Sequence, residues 1–409
     1  MSIKWKNSFN PEIILGKLKE IRTLDGEKAS FSGFEYNEYI QVLKSMIDIG
    51  EGISSEIAHG LIMKGFHEAA KKPGLTKDSV LAAVKKTVRE HLGKPNEPYW
   101  LLTTLNINFS NDLPKYSING CSIRFYKHLP KKYRKARKSM LSEVSSWLID
   151  EDESFSYYVV AHISDKTAHE AVEKMLDAID LLRGIWNLHT NKSMVLSFGG
   201  RKKPINQITI GALHTLHDKN GAKLTDTFWY EPEHYKNHSK VDFSKSSYKT
   251  LEFTKNVRKA LRKNSYRENV ESAIIRYTRA LDSQDYNAVF IKLWSVLEGL
   301  THTLKDSYDK TIKRAVFQYS DREYNRQVLE HLRQYRNRSV HLGAGENDID
   351  THVYQLKSYV EQLIRFHITN HFKFESMSEA ARFMDLQPDK GALKKQIKLC
   401  QAGIKFIGG

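Results

Sequence analysis

The period of the hydrophobic pattern changes twice along this chain, and that change restricts the fold more than any single motif. From Phe34 to about Gly93, apolar residues recur at three- and four-residue steps through "EYNEYIQVLKSMIDIG", "SSEIAHGLIMKGFHEAAKK" and "TKDSVLAAVKKTVREHLG", the mark of amphipathic helices. The third opens on Thr76 as N-cap, carries Asp78 in its first turn and stops at Gly93. "KPNEP" then breaks the run. From Tyr99 the texture is β-rich: "YWLLTTLNINF", "YSINGCSIRFY" with an Asn-Gly pair that suits a turn or bulge, and "SFSYYVVAHIS". The helix "KTAHEAVEKMLDAIDLLRGIWNLHTN" follows, and "NQITIGALHTLHD" and "AKLTDTFWYEP" are two further strands joined at Lys-Asn-Gly. After about 245 the helical period returns. Tyr286, Phe290, Leu293, Leu297, Leu300 and Leu304 form one stripe, with Ser283 or Asp285 as its N-cap.

The expected fold is therefore multidomain α+β. A helical N-terminal region covers 1–98, a small mixed α/β domain 99–232, an all-α bundle 245–375, and a basic tail 376–409.

At 409 residues the chain is long enough for two or three domains with cores of their own. Lys and Arg number 64 against 48 Asp and Glu, a formal net charge of +16. This excess favours phosphate-bearing partners, nucleic acid first among them; a merely solubilising charge is the plainer alternative. Cys121 and Cys400 stand far apart without CxxC or Cys/His spacing, so neither a disulfide framework nor a zinc site is expected. The opening stretch lacks the apolar core of a signal peptide, and no run approaches the roughly 18 apolar residues of a membrane span. The expected setting is cytoplasmic and soluble, with no membrane partner, no metal and no cofactor.

In four places a His follows an Arg by five or six positions: Arg183 with His189, Arg326 with His331, Arg336 with His341, and Arg365 with His371. Spacing alone does not rank them. Leu329, Leu332, Arg336 and Val340 share one face at about 100° per residue, so Arg336 stands where an apolar residue is expected and needs an anionic neighbour. That neighbour is either Glu298 on the preceding helix or a phosphate. Arg338 points away, towards solvent. Gly343 is expected in a left-handed cap, which puts His341 in the last helical turn, where the dipole favours an imidazolium. Arg336 and His341 diverge by about 140° on a regular helix. Two copies meeting at an isologous interface would pool two arginines with two histidines. Packing accounts for Arg183 and His189 beside Trp186 and Leu188, Arg326 and His331 fall mid-helix with no helix-end feature, and Arg365 and His371 sit among scattered aromatic residues.

The stretch Arg336-Asn337-Arg338-Ser339-Val340-His341 resembles the R-x4-6-H motif of HEPN domains (higher eukaryotes and prokaryotes nucleotide-binding), and "FIKLWSVLEGLTHTL" is similar to the helix that precedes the motif in the ApeA-like anti-phage branch. The likeness covers 245–375, so the all-α bundle would be HEPN-like; over 1–232 only the general layout is shared. The resemblance implies a metal-independent endoribonuclease working as a homodimer. His341 would be the general acid/base at the ribose 2′-OH or the leaving 5′-oxygen, Arg336 would hold the scissile phosphate, Asn337 would orient one of them, and Glu298 would support the site. These residue types suit RNA, which supplies its own nucleophile and asks the protein for proton transfer and charge stabilisation. No HExxH motif competes. Gly343 stands where HEPN toxins silenced by adenylylation carry a Tyr, so that control is not expected.

RNA contacts are expected from Arg124, Lys127, Lys131, Lys132, Arg134, Lys135, Arg137 and Lys138, interleaved with Phe125, Tyr126 and Tyr133. Lys255, Arg258, Lys259, Arg262, Lys263 and Arg267 form a second basic run. A solvated loop or helix face is the plainer reading of each. Residues 1–232 show no GxGxxG, P-loop or GxSxG motif; restraint of a toxic nuclease, released by a phage-derived or small-molecule trigger, is the role expected there. The competing expectation is a non-catalytic RNA- or nucleotide-binding protein whose bundle serves dimerisation, or a scaffold that binds proteins alone.

Overall fold

The computed structural model describes residues 2–50, 52–109, 113–142, 157–195, 202–225, 229–231, 241–243, 247–304, 306–342 and 348–407, without the side chains of 247 and 339–342. Among these residues the chain is mixed α and β, with fourteen helices and twelve strands. It divides into two compact units, 1–99 with 163–174, and 100–162 with 175–409.

In the first unit, short strands β1 (Lys4–Trp5) and β4 (Ile47–Asp48) pair antiparallel, as do β2 (Arg22–Asp25) and β3 (Lys28–Phe31). Helices α1 (Pro11–Glu20), α2 (Glu35–Met46), α3 (Ser55–Ala70) and α4 (Lys77–Leu92) enclose a core that includes Leu15, Leu18, Leu43, Phe66 and Val84. Helix α4 begins with a reciprocal cap. The Ser79 amide donates to Thr76 Oγ1 at 3.2 Å, and the Thr76 amide donates to Ser79 Oγ at 2.9 Å. α3 and α4 approach closely because Gly65 has no side chain, since a Cβ there would lie 2.6 Å from Val84 Cα. The Arg22 guanidinium donates to the carbonyls of Ala70, Lys72 and Pro73, satisfying the otherwise open end of α3.

The second unit is built on a six-stranded sheet of β5 (Glu97–Leu105), β7 (Tyr116–Ile118), β8 (Cys121–Tyr126), β9 (Tyr157–Asp165), β10 (Leu213–His217) and β11 (Trp229–Tyr230), ordered β11-β10-β5-β9-β8-β7. Strand β6 (Ile107–Asn108) pairs in parallel with β12 (Val241–Asp242). The Asn-Gly pair is the β7–β8 hairpin turn. Asn119 and Gly120 take φ of +48° and +78° between the paired Ile118 and Cys121, the left-handed backbone that a two-residue turn requires. Helix α5 is Lys131–Ser142, and α6 runs Ala168–Thr190. From Met175 to Leu188 every residue of α6 but Asp177 is buried, including the polar side chains of Asp180, Arg183 and Asn187, which find partners inside. Gly184 lets α6 meet α8 (Arg267–Leu281): a Cβ there would fall 2.2 Å from Thr278 Oγ1.

The remaining helices are α7 (Ser247–Arg262), α9 (Tyr286–Leu300), α10 (Tyr308–Ala315), α11 (Arg322–Leu342), α12 (Ile349–Thr369), α13 (Met377–Met384) and α14 (Lys390–Ile407). α9 packs against α8, α11 and α12. Two expectations change here. The α9 stripe ends at Leu300; His302 turns left-handed with φ +54°, and Leu304 is 63% exposed. Residues 376–409, read from sequence as a basic tail, hold α13, whose Met377, Ala380, Ala381 and Met384 are buried, and α14.

Candidate nucleic-acid site

Asp285 caps α9, accepting from the amides of Asn287 at 2.9 Å and Ala288 at 3.3 Å. This fixes the register in which α9 presents Asn287, Phe290, Trp294 and Glu298 at helical spacing. Facing them, α11 buries Leu329, Leu332 and Tyr335. Tyr335 packs edge-on against Phe290 with centroids 4.8 Å apart, and its hydroxyl donates to Asn287 Oδ1. The inward position that the sequence assigned to Arg336 thus belongs to Tyr335. Arg336 sits beside it, half-buried.

The Arg336 guanidinium carbon lies 5.0 Å from the centroid of the Tyr308 ring, a cation–π contact. Glu298 is not its ion-pair partner. The Glu298 carboxylate instead accepts from Trp294 Nε1 at 2.9 Å, and burial raises its pKa against the opposing pull of that hydrogen bond, of Arg336 and of Arg276. Among the described residues Arg336 forms no hydrogen bond and no ion pair, and neither does the half-buried Asn337 side chain. A guanidinium held by a ring with its N–H edge uncommitted is suited to an incoming anion. α11 carries the backbone through His341. The His341 side chain and Gly343 lie outside the described residues.

The other Arg/His pairs are engaged structurally. Arg183 is 1% exposed, with Nε 2.8 Å from Asp180 and Nη2 2.5 Å from Asp282. His189 stacks on Phe253 with centroids 5.0 Å apart. Arg326 pairs with Glu323 at 2.7 Å on the surface, and Arg365 donates to the Leu188 carbonyl at 3.1 Å. His331 holds something its sequence context did not signal: its Nε2 is 3.0 Å from Nε2 of His352 on α12, beside the Tyr335 ring.

The basic run 124–138 is divided by the fold. Arg124 and Lys127 are exposed around the end of β8, and Lys131, Lys132, Arg134, Lys135 and Lys138 lie on the exposed face of α5. Lys132 is partly committed, with Nζ donating to the Lys219 carbonyl at 2.9 Å and lying 4.7 Å from the Tyr133 ring centroid. Arg137 departs from the expectation: it is 0% exposed and donates to Thr215 Oγ1 at 3.1 Å and to the carbonyls of Leu213 and Leu102. Helical spacing places it in one stripe with buried Tyr133 and Met140, so neither Arg137 nor Tyr133 can meet RNA. A cavity of about 610 Å³ is lined by Lys115, Arg124, Phe125, Tyr126, Lys127 and His128, among others, and by no carboxylate. Lys115 and His128 were not singled out in sequence; they converge only because β8 and the segment before β7 are brought side by side. In the second run Lys255, Lys259, Arg262, Lys263 and Arg267 are exposed, while Arg258 covers the Tyr116 ring and donates to the Ser117 carbonyl.

Among the described residues one group has metal-ligand spacing. His169 Nε2 lies 3.3 Å from Glu56 and 3.6 Å from Glu173, and the Ser54 hydroxyl donates to Glu173 at 2.9 Å. The arrangement is equally that of a half-buried imidazole between two carboxylates. No described helix is long and apolar enough to cross a membrane. Comparison with protein-family models, curated proteins and solved structures gives no match to this chain.

Proposed function

We propose that the chain is a metal-independent endoribonuclease of HEPN type, acting as a toxin-like effector in anti-phage defence, with a composite site at the two-fold axis of a homodimer. In this reading residues 245–375, which hold α7 to α12, are the HEPN-like bundle. His341 takes the proton from a ribose 2′-OH and, from the partner copy, gives one to the departing 5′-oxygen. The phosphate closes to a 2′,3′-cyclic ester. Arg336 neutralises the phosphate oxygens as charge accumulates there, and Asn337 orients one of these two side chains, His341 or Arg336.

One observation carries the proposal. Of the four Arg/His pairs, only that of Arg336 leaves its arginine without a hydrogen bond or ion pair among the described residues. The exposed cations of α5 and the cavity at β8 support RNA as the ligand.

That cavity also favours a second reading, a non-catalytic RNA- or nucleotide-binding protein whose bundle serves dimerisation, because base stacking and phosphate contacts need no proton transfer. His341→Ala distinguishes the two. The nuclease reading expects RNA cleavage to fall roughly a hundred- to ten-thousand-fold while RNA affinity holds. If wild type and variant bind RNA equally and neither cleaves it after challenge with phage lysate, the binding reading stands instead.

A further inference from the structure

Helix α14 buries none of its 18 residues. Ile397, Leu399, Ile404, Phe406 and Ile407 are between 56% and 90% exposed, an apolar concentration that marks an interaction surface. At about 100° per residue the helix separates into two halves. Leu393, Ile397, Cys400, Ile404 and Ile407 follow at steps of four and three along one side of the apolar half. Leu399 and Phe406 extend it to an arc of about 180°, with Gln396 the one strongly polar side chain inside. The opposite half carries Lys390, Lys394, Lys395, Lys398 and Lys405, and the helix contains no Asp or Glu.

We propose that α14 docks on an anionic lipid surface, lying in the headgroup plane with its apolar half sunk towards the acyl chains and its lysines against the lipid charges. Two features select this occupant over a second copy of the chain. A two-stranded coiled coil buries only a narrow seam and would leave Leu399 and Phe406 in water. Pairing two such helices also brings lysine flanks together with no carboxylate to offset them. An arc of half the circumference opposite a polar face whose charges are all lysine is the geometry of an interfacial helix, and lysines near an anionic bilayer gain attraction that salt weakens.

The test is flotation of the full chain with vesicles of phosphatidylcholine alone and of phosphatidylcholine with phosphatidylserine. The expected result is binding to the second and not the first, weakened by salt. Ile397→Glu with Ile404→Glu is expected to cut that binding at least tenfold without moving Tm, since neither side chain belongs to the core. No binding to phosphatidylserine vesicles, or equal binding by the variant, overturns the proposal. So does concentration-dependent self-association that the variant loses in the absence of vesicle binding, which would assign the face to a second copy.

Discussion

The Arg336 guanidinium lies over the Tyr308 ring, 5.0 Å from its centroid, while the nearby Glu298 carboxylate is taken by the indole of Trp294. A cation braced by a ring keeps its hydrogen-bonding edge available. A cation locked in a bidentate carboxylate pair does not. The first consequence concerns Tyr308. Tyr308→Phe keeps the ring and should leave RNA cleavage within a few-fold of wild type. Tyr308→Ala removes the brace and should lower kcat/KM roughly ten- to hundredfold while costing only about 0.5–1 kcal/mol of stability, the scale of a solvent-accessible cation–π contact. Single-turnover cleavage rates and urea denaturation read the two effects separately.

Arg183 should behave in the opposite way. It is enclosed with Asp180 and Asp282, and both carboxylates hold its pKa above the ordinary value despite burial. Arg183→Met removes the cation beside the buried Asp282 carboxylate, which also accepts from Asn206 Nδ2 at 2.7 Å, and is expected to cost about 3–5 kcal/mol, the scale for breaking one side of a buried ion pair. Arg279→Ala touches the same Asp180, yet the Arg279 side chain is 49% exposed, so a loss of no more than about 1 kcal/mol is expected. Equal losses in the two variants would contradict this account of the network.

His367 gives the fold a pH dependence. Its Nε2 donates to the Leu300 carbonyl at 2.8 Å, which leaves Nδ1 to accept from the Tyr266 hydroxyl at 3.2 Å, and burial pushes its pKa down to about 4. In the unfolded chain the imidazole titrates near its usual value of about 6.5. Between these values the unfolded state binds the extra proton, so this contribution is complete above about pH 6.5 and is lost as pH falls towards 4. The loss should amount to about 3 kcal/mol. Urea midpoints across that window should fall more steeply for wild type than for His367→Gln.

The basic run makes a prediction about RNA. Lys131→Glu, Lys135→Glu and Lys138→Glu should together weaken RNA binding and flatten its salt dependence, each lost phosphate contact removing about 0.7 from the slope for a single strand. Arg137→Ala should leave the slope unchanged and lower Tm, since Arg137 ties β5 to β10 from the interior. Filter binding at several salt concentrations and a thermal melt decide the matter.

The contrast between Arg137 and its neighbours shows what the sequence could and could not disclose. Signals that act over a few residues were readable: the Thr76 cap, the Asp285 cap and the Asn119-Gly120 turn each carry their own geometry. The β2–β3 hairpin carries such a signal too, Asp25-Gly26, but between strands of four residues each with little apolar alternation to mark them. Burial of Arg137 had no local signal. Its acceptors, Leu102, Leu213 and Thr215, are distant in sequence and meet it only once the sheet is assembled. The choice between Tyr335 and Arg336 is of the same kind. Steps of three and of four from Leu332 both satisfy a helical stripe, and Asn287 and Phe290 on α9 decide for Tyr335. Of the candidate catalytic residues, Arg336 and Asn337 were legible as neighbours late in α11, but not that neither side chain forms a hydrogen bond among the described residues. That Tyr308 braces Arg336 was not legible, because α10 and α11 meet through tertiary packing.

The central claim is that Arg336 meets an RNA phosphate during cleavage that the ribose 2′-OH itself begins. The most direct measurement is incubation of RNA with wild type and with Arg336→Ala in EDTA, followed by analysis of the product ends. The account predicts 2′,3′-cyclic phosphate and 5′-hydroxyl ends from wild type, at a rate at least a hundredfold above the variant's. Ends bearing a 3′-hydroxyl, or equal cleavage by the two proteins, would contradict it.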